Sequence, residues 1–328
     1  MKTIVITGLF SPLSGAIAQW AIDQGMRVLG VDIQPMTRPL PGVEFIRADI
    51  RNPLFPQLLK AEQVDAIFHG AFRWRVRRSE EVFESNVMGT MKLMGAAALA
   101  GVKKVVFPSS TFVYGAHPNN PYFMTENNEF QGRSSYAYVR DLRDIETFLS
   151  GFRRQHPEMT VTVLRFANIL GRGYSSPLAR YLALPVIPTL MGYDPMMQVI
   201  HLDDVVRALI QALEEDHQGV FNAAAAPPLP LMKLIRMAGG HSVPILHPFA
   251  YTGQSLASMF LKKSKEIPAI PWDFLRYPWT AATDKIEAEW GYHPRLDAET
   301  TVRLFAQERH ARDDERAIQP DTAARASA

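Results

Sequence analysis

The N-terminal part of the sequence carries small and acidic residues at the spacing of a dinucleotide site. Gly8 follows a β-branched run, and Ser11 and Ser14 stand where a G-x-x-G-x-x-G turn has its later glycines. Such a turn places the amide groups of a helix N-terminus on a pyrophosphate, and small residues allow its close approach. Because only Gly8 keeps the glycine, the turn alone is equally consistent with an ordinary strand–helix connection.

Two carboxylates that follow the next strands strengthen the cofactor interpretation. Asp32 ends the second predicted strand, where an acid accepts hydrogen bonds from the adenosine ribose hydroxyls and repels a 2′-phosphate. Asp49, followed by Ile50, comes after the third strand and is placed to meet the adenine amino group. A single strand-terminal acid is usually only a solvated chain end, but together with Gly8 it predicts a cofactor site. The expected cofactor is NAD, and NADP is less favoured.

Composition excludes several other kinds of chemistry. The 328 residues include no cysteine, which excludes a disulfide scaffold, a cysteine-ligated metal site and a thiol nucleophile. The nine histidines show no metal-ligand spacing, so no metal site is predicted. A net charge of +2 gives no electrostatic case for nucleic acid or a membrane surface as a partner. No targeting segment is recognisable, and a cytoplasmic location is expected.

Short β-rich runs alternate with longer helical patterns through the first half of the chain. Continuous apolar strands separated by helices indicate a parallel sheet that is covered on both faces. We therefore predict an α/β fold, a Rossmann-type doubly wound parallel sheet with a small irregular C-terminal cap. The predicted strands are 3–7, 27–32, 44–47, 64–69, 103–108 and 160–166, and the predicted helices are about 14–24, 53–60, 80–100 and 136–156.

The amino-acid composition of the sequence changes after residue 172. Prolines, methionines and aromatic residues concentrate in 173–195 and 227–278, which indicates an apolar cap over the carboxyl edge of the sheet, where ligands bind in open α/β folds. The domain boundaries that we expect are an NAD-binding domain at 1–172, to which 198–226 returns, a substrate-binding cap from 173–197 and 227–307, and a disordered tail at 308–328.

Five further segments carry a specific signal, and they are Asn86–Thr90 (NVMGT), Val106–Gly115 (VFPSSTFVYG), Tyr136, Leu164–Gly171 (LRFANILG) and His201–Val205 (HLDDV). Together they resemble the extended short-chain dehydrogenase/reductase family, in its NAD-dependent epimerase/dehydratase branch. The likeness covers roughly residues 3–305. The chain looks most similar to a divergent subgroup that includes mycobacterial proteins labelled UDP-glucose 4-epimerases.

The resemblance implies a catalytic role for three residues. Ser110 matches the family's Ser/Thr that polarises the substrate oxygen, and Tyr136 matches the tyrosine that exchanges a proton with that oxygen. The family has a lysine four residues after this tyrosine, whereas Arg140 stands here and cannot relay a proton. The alternatives are that Arg140 pairs with Asp144 on an exposed helix face and that Tyr136 is simply a buried helix residue.

The same resemblance extends the expected cofactor site and suggests an assembly. Ala71 and Asn86 join the residues expected near NAD, with Tyr136 and Arg140 on the nicotinamide ribose. The long helices 80–100 and 136–156 would pair across a two-fold axis in a homodimer, although their small residues would serve an intramolecular helix–sheet contact equally well.

Substrate recognition departs from the family pattern. Asn168 matches a residue that touches the substrate's phosphate or base, but Gln198 stands where sugar-nucleotide members have an arginine that grips the diphosphate. Arg276 is a candidate replacement for that cation. A run of arginines interleaved with aromatic residues begins at Arg73 and is placed to clamp a carboxylate or phosphate, or else to pair as a solvated loop with the glutamates that follow. His201 and the acids after it are expected to be structural.

These features predict an NAD-dependent oxidoreductase or epimerase that acts at a secondary alcohol or ketone of a small-molecule substrate. A nucleotide sugar is the substrate that the family implies. The alternatives are a reductase or dehydrogenase of an apolar alcohol or ketone and a non-catalytic protein that binds NAD(P).

Overall fold

The central sheet is built from strands whose residues alternate between its two faces. The structure is a computed structural model that describes residues 1–36, 39–74, 79–131, 136–246 and 270–318. In β1, Ile4 and Ile6 pack towards one side of the sheet while Val5 packs towards the other. All three are fully buried, which is the pattern of a central strand in a parallel sheet covered on both faces.

Seven parallel strands form this sheet in the order β11-β6-β5-β4-β1-β2-β3. This arrangement confirms the predicted Rossmann-type fold. Ligands bind such a sheet at its carboxyl edge, beside the point where the strand order reverses next to β1. The strands are β1 (Thr3–Thr7), β2 (Arg27–Asp32), β3 (Val43–Arg47), β4 (Ala66–His69), β5 (Lys104–Ser110), β6 (Thr160–Phe166) and β11 (Gly219–Ala223).

Helices cover both faces of the sheet. One side carries α1 (Pro12–Asp23) and α7 (Leu202–Glu214), and the other carries α2 (Phe55–Ala61), α4 (Gly89–Ala100) and α5 (Ala137–Gln155). The predicted single helix 80–100 is instead α3 (Glu80–Phe83), a π-helical turn (Glu84–Met88) and α4, ended by Gly101 in the left-handed conformation. The extra residue of a π turn changes the direction of the side chains within it.

The second half of the chain forms a smaller assembly over the carboxyl edge. Its elements are β7 (Asn168–Leu170), α6 (Pro177–Leu182), β8 (Ile187–Leu190), β9 (Met196–Met197), β10 (Val199–His201), β12 (Leu229–Pro230), α8 (Leu231–Met237), β13 (Ser242–Ile245), a 3-10 turn (Trp272–Leu275), α9 (Asp284–Trp290) and α10 (Ala298–Ile318). A third apolar cluster joins most of these elements to the start of α5, whereas α9 packs with β11 and α7 through Ile286 and Trp290.

The C-terminal tail predicted at 308–328 is partly helical and partly outside the described residues. Helix α10 continues to Ile318, so residues 308–318, which the sequence assigned to a tail, are helical. Residues 319–328 lie outside the described residues. Within the described part of the chain, no helix combines the length and the apolar character needed to span a membrane.

Candidate active site

The turn after β1 leaves no room for a side chain at its first residue. Gly8 has a φ of +64°, and a Cβ there would lie 2.6 Å from the Cα of Ala71 and 2.7 Å from the carbonyl oxygen of Gly70. Its N–H donates to the carbonyl of Val31 at 3.0 Å, which holds the turn against β2. Glycine at this position lets the ends of β1 and β4 approach each other beneath the start of α1.

Ser11 and Ser14 fold the next part of the turn into the helix. Ser11 is the N-cap of α1: its Oγ accepts from the N–H of Ser14 at 3.1 Å and donates to the Oγ of Ser14 at 2.8 Å. The Ser14 hydroxyl in turn donates to the carbonyl of Thr7 at 3.3 Å. A Cβ on Gly70 would collide with the Ser14 hydroxyl. Gly70, at the end of β4, therefore lacks a side chain where Ser14 needs space. A third glycine in α1, at position 14, would leave the same space free.

The two predicted adenosine ligands differ in their surroundings. Asp32 ends β2, and its Oδ1 accepts from the N–H of Gln34 at 2.9 Å. Asp49 instead forms a close ion pair with Arg51, whose Nη2 lies 2.6 Å from Oδ2, and this hydrogen bonding lowers the pKa of the Asp49 carboxyl. An adenine amino group at Asp49 would have to compete with Arg51. Ile50 packs at the start of α4.

A cleft of about 240 Å³ opens at the carboxyl edge of the sheet. The turn after β1 contributes Ser11 to its wall and the end of β4 contributes Gly70, and the predicted substrate residues contribute Ser110 and Asn168. The predicted residues that are not among its described lining are Gly8, Ser14, Asp32, Asp49, Ile50, Ala71, Arg73, Asn86, Tyr136, Arg140 and Arg276.

Ser110 and Asn168 are held by the backbone around them. Ser110 ends β5 and caps a 3-10 turn (Thr111–Tyr114), where its Oγ accepts from the N–H of Phe112 at 3.4 Å. Asn168 is 3% exposed, and its Nδ2 donates to the carbonyl of Gln198 at 2.8 Å. Since two oxygens would repel at this distance, the contact fixes the orientation of the amide. Its Oδ1 has no hydrogen-bond partner among the described residues.

Tyr136 lies at the N-cap of α5 but faces the cap rather than the cleft. Its hydroxyl donates to the carbonyl of Ile270 at 3.4 Å, and its ring lies 5.8 Å from that of Tyr138. Burial raises the pKa of the Tyr136 phenol. The phenol therefore keeps its proton at neutral pH.

Arg140 is half-buried one turn further along α5, where its N–H donates to the carbonyl of Tyr136 at 3.4 Å. Its side chain forms no hydrogen bond or ion pair with the described residues. The expected pairing with Asp144 is present only as a longer-range attraction. Burial raises the pKa of the Asp144 carboxyl, and the charges of Arg140 and Arg143 oppose that rise.

The predicted cofactor ligand Asn86 is committed to a loop of the protein itself. Its Oδ1 accepts from the N–H of Arg73 at 2.9 Å, and its Nδ2 donates to the carbonyl of Arg73 at 3.0 Å and to Asp141 at 2.9 Å. The Arg73 guanidinium forms a 2.6 Å ion pair with Glu81, as the solvated-loop alternative predicts. The other arginines of that run, Arg75, Arg77 and Arg78, lie outside the described residues.

The substitute for the family's diphosphate arginine has a structural role. The Gln198 side chain accepts from the N–H of Ala281 at 2.6 Å and donates to its carbonyl at 2.9 Å. Arg276 lies between the rings of Tyr193 and Tyr277, at 4.9 and 4.7 Å from their centroids. Neither side chain belongs to the described lining of the cleft.

The His201–Val205 segment is structural in the way that the sequence predicted. The Nδ1 of His201 accepts from the N–H of Asp203 at 3.2 Å and so caps α7. Asp204 is buried and accepts from the N–H groups of Arg295 and Leu296 at 2.8 and 3.1 Å. These bonds attach the loop before α10 to the start of α7.

A buried ion pair behind the cleft was not predicted. Glu146 of α5 and Arg165 of β6 pair at 2.6 Å with their side chains 2% and 5% exposed. Ser109 donates to the second oxygen of Glu146 at 2.5 Å, and Arg165 donates to the hydroxyl of Tyr114 at 2.8 Å. The signal in the sequence is an arginine inside an otherwise uncharged buried strand, because such a charge needs a buried partner.

Comparisons with known proteins place this geometry in a family. The model of the NAD dependent epimerase/dehydratase family matches residues 4–224. The chain belongs to this family. An uncharacterized protein of Mycobacterium tuberculosis is 34% identical over 93% of this chain and 82% of its own length. The UDP-glucose 4-epimerase of Yersinia pestis is 32% identical over 46% of this chain and 42% of its own length.

Solved structures of family members share the fold. The UDP-glucose 4-epimerase of Thermotoga maritima, solved with UDP-glucose, has a TM-score of 0.72 at 20% identity and covers 94% of this chain and 99% of its own. The dTDP-glucose 4,6-dehydratase of Bacillus anthracis, solved with NAD, has a TM-score of 0.70 at 16% identity and covers 96% of this chain and 98% of its own.

The residues at the carboxyl edge fit a dinucleotide. Ser11, the N-cap of α1, lines the cleft, so the positive end of the dipole of this 12-residue helix lies beside it. Ser11 accepts the N–H groups of Ser14 and Gly15, and Pro12 has no N–H, so Leu13 offers the amide of the first turn that is left for an anion. Asp32 has a carboxylate oxygen, Oδ2, that accepts no hydrogen bond from the described residues. A ribose diol is the complement of such a free carboxylate.

Proposed function

We propose that this protein is an NAD-dependent oxidoreductase or epimerase that acts at a secondary alcohol or ketone. The observation that carries the proposal is the cleft itself, because Ser11 of the turn after β1, Gly70 at the end of β4 and the Ser110 hydroxyl line the same space. Membership of the epimerase/dehydratase family supports the same chemistry. When bound, NAD supplies the hydride acceptor, or NADH the donor.

The chain's own residues would bind and polarise the substrate oxygen. Ser110 would donate its hydroxyl proton to that oxygen, since the Ser110 Oγ accepts only a long backbone contact of 3.4 Å and leaves the proton available. Asp32 would hold the adenosine ribose and disfavour NADP.

Tyr136 would act as an acid rather than a base in the described geometry. Because burial raises the pKa of its phenol, it stays protonated at neutral pH and is suited to protonate an oxygen that gains negative charge. The role requires the hydroxyl to turn from the carbonyl of Ile270 towards the cleft, with Arg140 providing positive charge from the next turn of α5.

Particular observations favour two alternatives, one for the substrate and one for the function. A nucleotide sugar is the substrate that the family likeness suggests, and the Thermotoga maritima UDP-glucose 4-epimerase was solved with UDP-glucose. A non-catalytic NAD-binding protein is favoured by the orientation of Tyr136 towards Ile270 and by the arginine at position 140.

The proposal is tested by mass spectrometry of the native protein for retained NAD(H), followed by turnover of Tyr136→Phe and Ser110→Ala. We expect each variant to keep NAD affinity and to lose at least tenfold in rate, because general acid catalysis contributes on the order of 10²–10⁴. Equal rates for Tyr136→Phe and the wild type would favour the non-catalytic alternative.

A further inference from the structure

The cleft beside Ser110 has an aromatic wall. Five of its lining side chains are aromatic, namely Phe72, Trp74, Phe112, Phe166 and Tyr174. Leu13 and Ile169, together with prolines, complete the apolar part of the lining. Aromatic faces of this kind bind flat apolar rings through buried area and ring–ring contacts.

Three of these aromatic residues, Phe72, Trp74 and Phe112, are linked by ring contacts through Tyr138, which hold them in place before any ligand binds. Trp74 contacts Phe72 edge-on at 5.2 Å and Tyr138 of α5 at 5.2 Å, and Tyr138 contacts Phe112 at 5.6 Å. The Asn86 amide fixes the backbone of the residue between Phe72 and Trp74 from both sides. A preformed wall lowers the entropic cost of binding a rigid ring.

Some of the polar groups in the described lining are satisfied by the protein. Ser11 and Ser109 donate their hydroxyl protons to Ser14 and Glu146, and the Asn168 Nδ2 donates to Gln198. Ser110 donates its proton to none of the described residues. The hydroxyls of Tyr174, Ser175 and Ser176 also belong to the lining and donate to none of the described residues. The described lining contains no charged side chain, which suits a neutral substrate.

We infer that the substrate is a neutral secondary alcohol or ketone whose reacting carbon belongs to, or adjoins, an apolar ring system that lies against Trp74. This rests on the proposed function and names its substrate class. In the reductive direction, bound NADH would supply the hydride for the carbonyl carbon and Tyr136 would donate a proton to the oxygen, giving the alcohol and NAD⁺. Water returns the proton to Tyr136.

The test uses 2-tetralone, a neutral bicyclic ketone, as the probe. Its dissociation constant for the NAD-loaded protein, from calorimetry, and its NADH-dependent reduction, from absorbance at 340 nm, are measured for the wild type, Trp74→Ala, Trp74→Phe and Tyr122→Ala. Tyr122 is an aromatic side chain that is 60% exposed and serves as the matched control. We expect Trp74→Ala to weaken binding about tenfold, Trp74→Phe to stay within about threefold, and Tyr122→Ala to match the wild type.

The other outcomes distinguish a failure of the proposed function from a failure of this inference. Failure of the wild type to bind NAD contradicts the proposed function. If NAD binds but 2-tetralone does not bind at millimolar concentration, or binds Trp74→Ala as well as the wild type, the inference is overturned. It is overturned equally if Trp74→Ala weakens NAD binding as much as ketone binding, because the wall would then hold the nicotinamide ring. Tight UDP-glucose binding that 2-tetralone does not displace would also overturn it.

Discussion

At the scale of single residues, the chain compensates for departures from the usual cofactor turn. Ser14 fills space where a glycine is expected, and Gly70 on the adjacent strand end leaves that space free. The sequence analysis predicted contacts of Asp49 and Asn86 with the cofactor and noted Gln198 in place of an arginine. In the structure the side chains of these three residues bind Arg51, Arg73 and Ala281, respectively. Residue type can be read from a sequence, whereas the partner that occupies a side chain depends on tertiary contacts.

We predict that Gly70→Ala lowers the free energy of unfolding by about 1–3 kcal/mol, since its Cβ collides with the Ser14 hydroxyl in a packed interior. Ser14→Ala removes that oxygen, so the double variant should recover a large part of the loss. Urea denaturation of the two single variants and the double variant measures the coupling. Gly95→Ala is the control, because a Cβ at Gly95 meets nothing within 4 Å. Strict additivity of the two changes would contradict the predicted contact.

At the scale of elements, the strands were predicted closely and the site less so. Strands β1, β2 and β6 have the predicted bounds, because a strand buried on both faces is a continuous apolar run between polar ends. The π turn at 84–88 was missed, since one inserted residue hardly alters a helical periodicity over 21 positions. Ser110 and Asn168 reach the cleft, but the orientation of Tyr136 is set by a contact with a residue 134 positions away.

The Glu146–Arg165 pair ties together the elements that carry the proposed site. Glu146 lies on α5, which begins after Tyr136, Arg165 lies three residues before Asn168, and Ser109 precedes Ser110. Glu146→Leu leaves a buried guanidinium without its anion, so we expect a loss of about 3–5 kcal/mol in the free energy of unfolding. Adding Arg165→Met should restore part of it.

Chemical denaturation of the two Glu146–Arg165 variants provides this measurement. Glu44→Leu, which removes the exposed partner of Arg27, is the control and should leave the unfolding midpoint unchanged. A Glu146→Leu variant as stable as the wild type would show that the buried pair carries no net interaction.

At the scale of the whole molecule, a buried histidine links stability to pH. His69 lies between Thr7 and Thr90, with its ring nitrogens 2.7 and 2.9 Å from their hydroxyl oxygens. The Thr90 hydroxyl donates to the carbonyl of Asn86, so the His69 Nε2 must donate to Thr90 and its Nδ1 must accept from Thr7. Complete burial lowers the pKa of His69 to about 4 from the ordinary value of 6.5.

Protonation of His69 is therefore disfavoured in the folded protein. As the pH falls below 6.5, the unfolded chain takes up a proton that the folded chain refuses until about pH 4, so folding stability is lost across that window. We expect His69 to account for about 2 kcal/mol of the stability lost between pH 7.5 and pH 5. Urea unfolding of His69→Asn should show a shallower pH dependence by this amount, while the exposed control His241→Asn should keep the wild-type slope. An unchanged slope in His69→Asn would contradict the assignment.

The central claim is that the carboxyl edge of this sheet binds NAD. Calorimetric titration of the native protein with NAD and, separately, with NADP tests it most directly. We expect saturable one-to-one binding of NAD and at least about tenfold weaker binding of NADP, because the Asp32 carboxylate favours a ribose diol and repels a 2′-phosphate. No binding of either dinucleotide at millimolar concentration, or a preference for NADP, would contradict it.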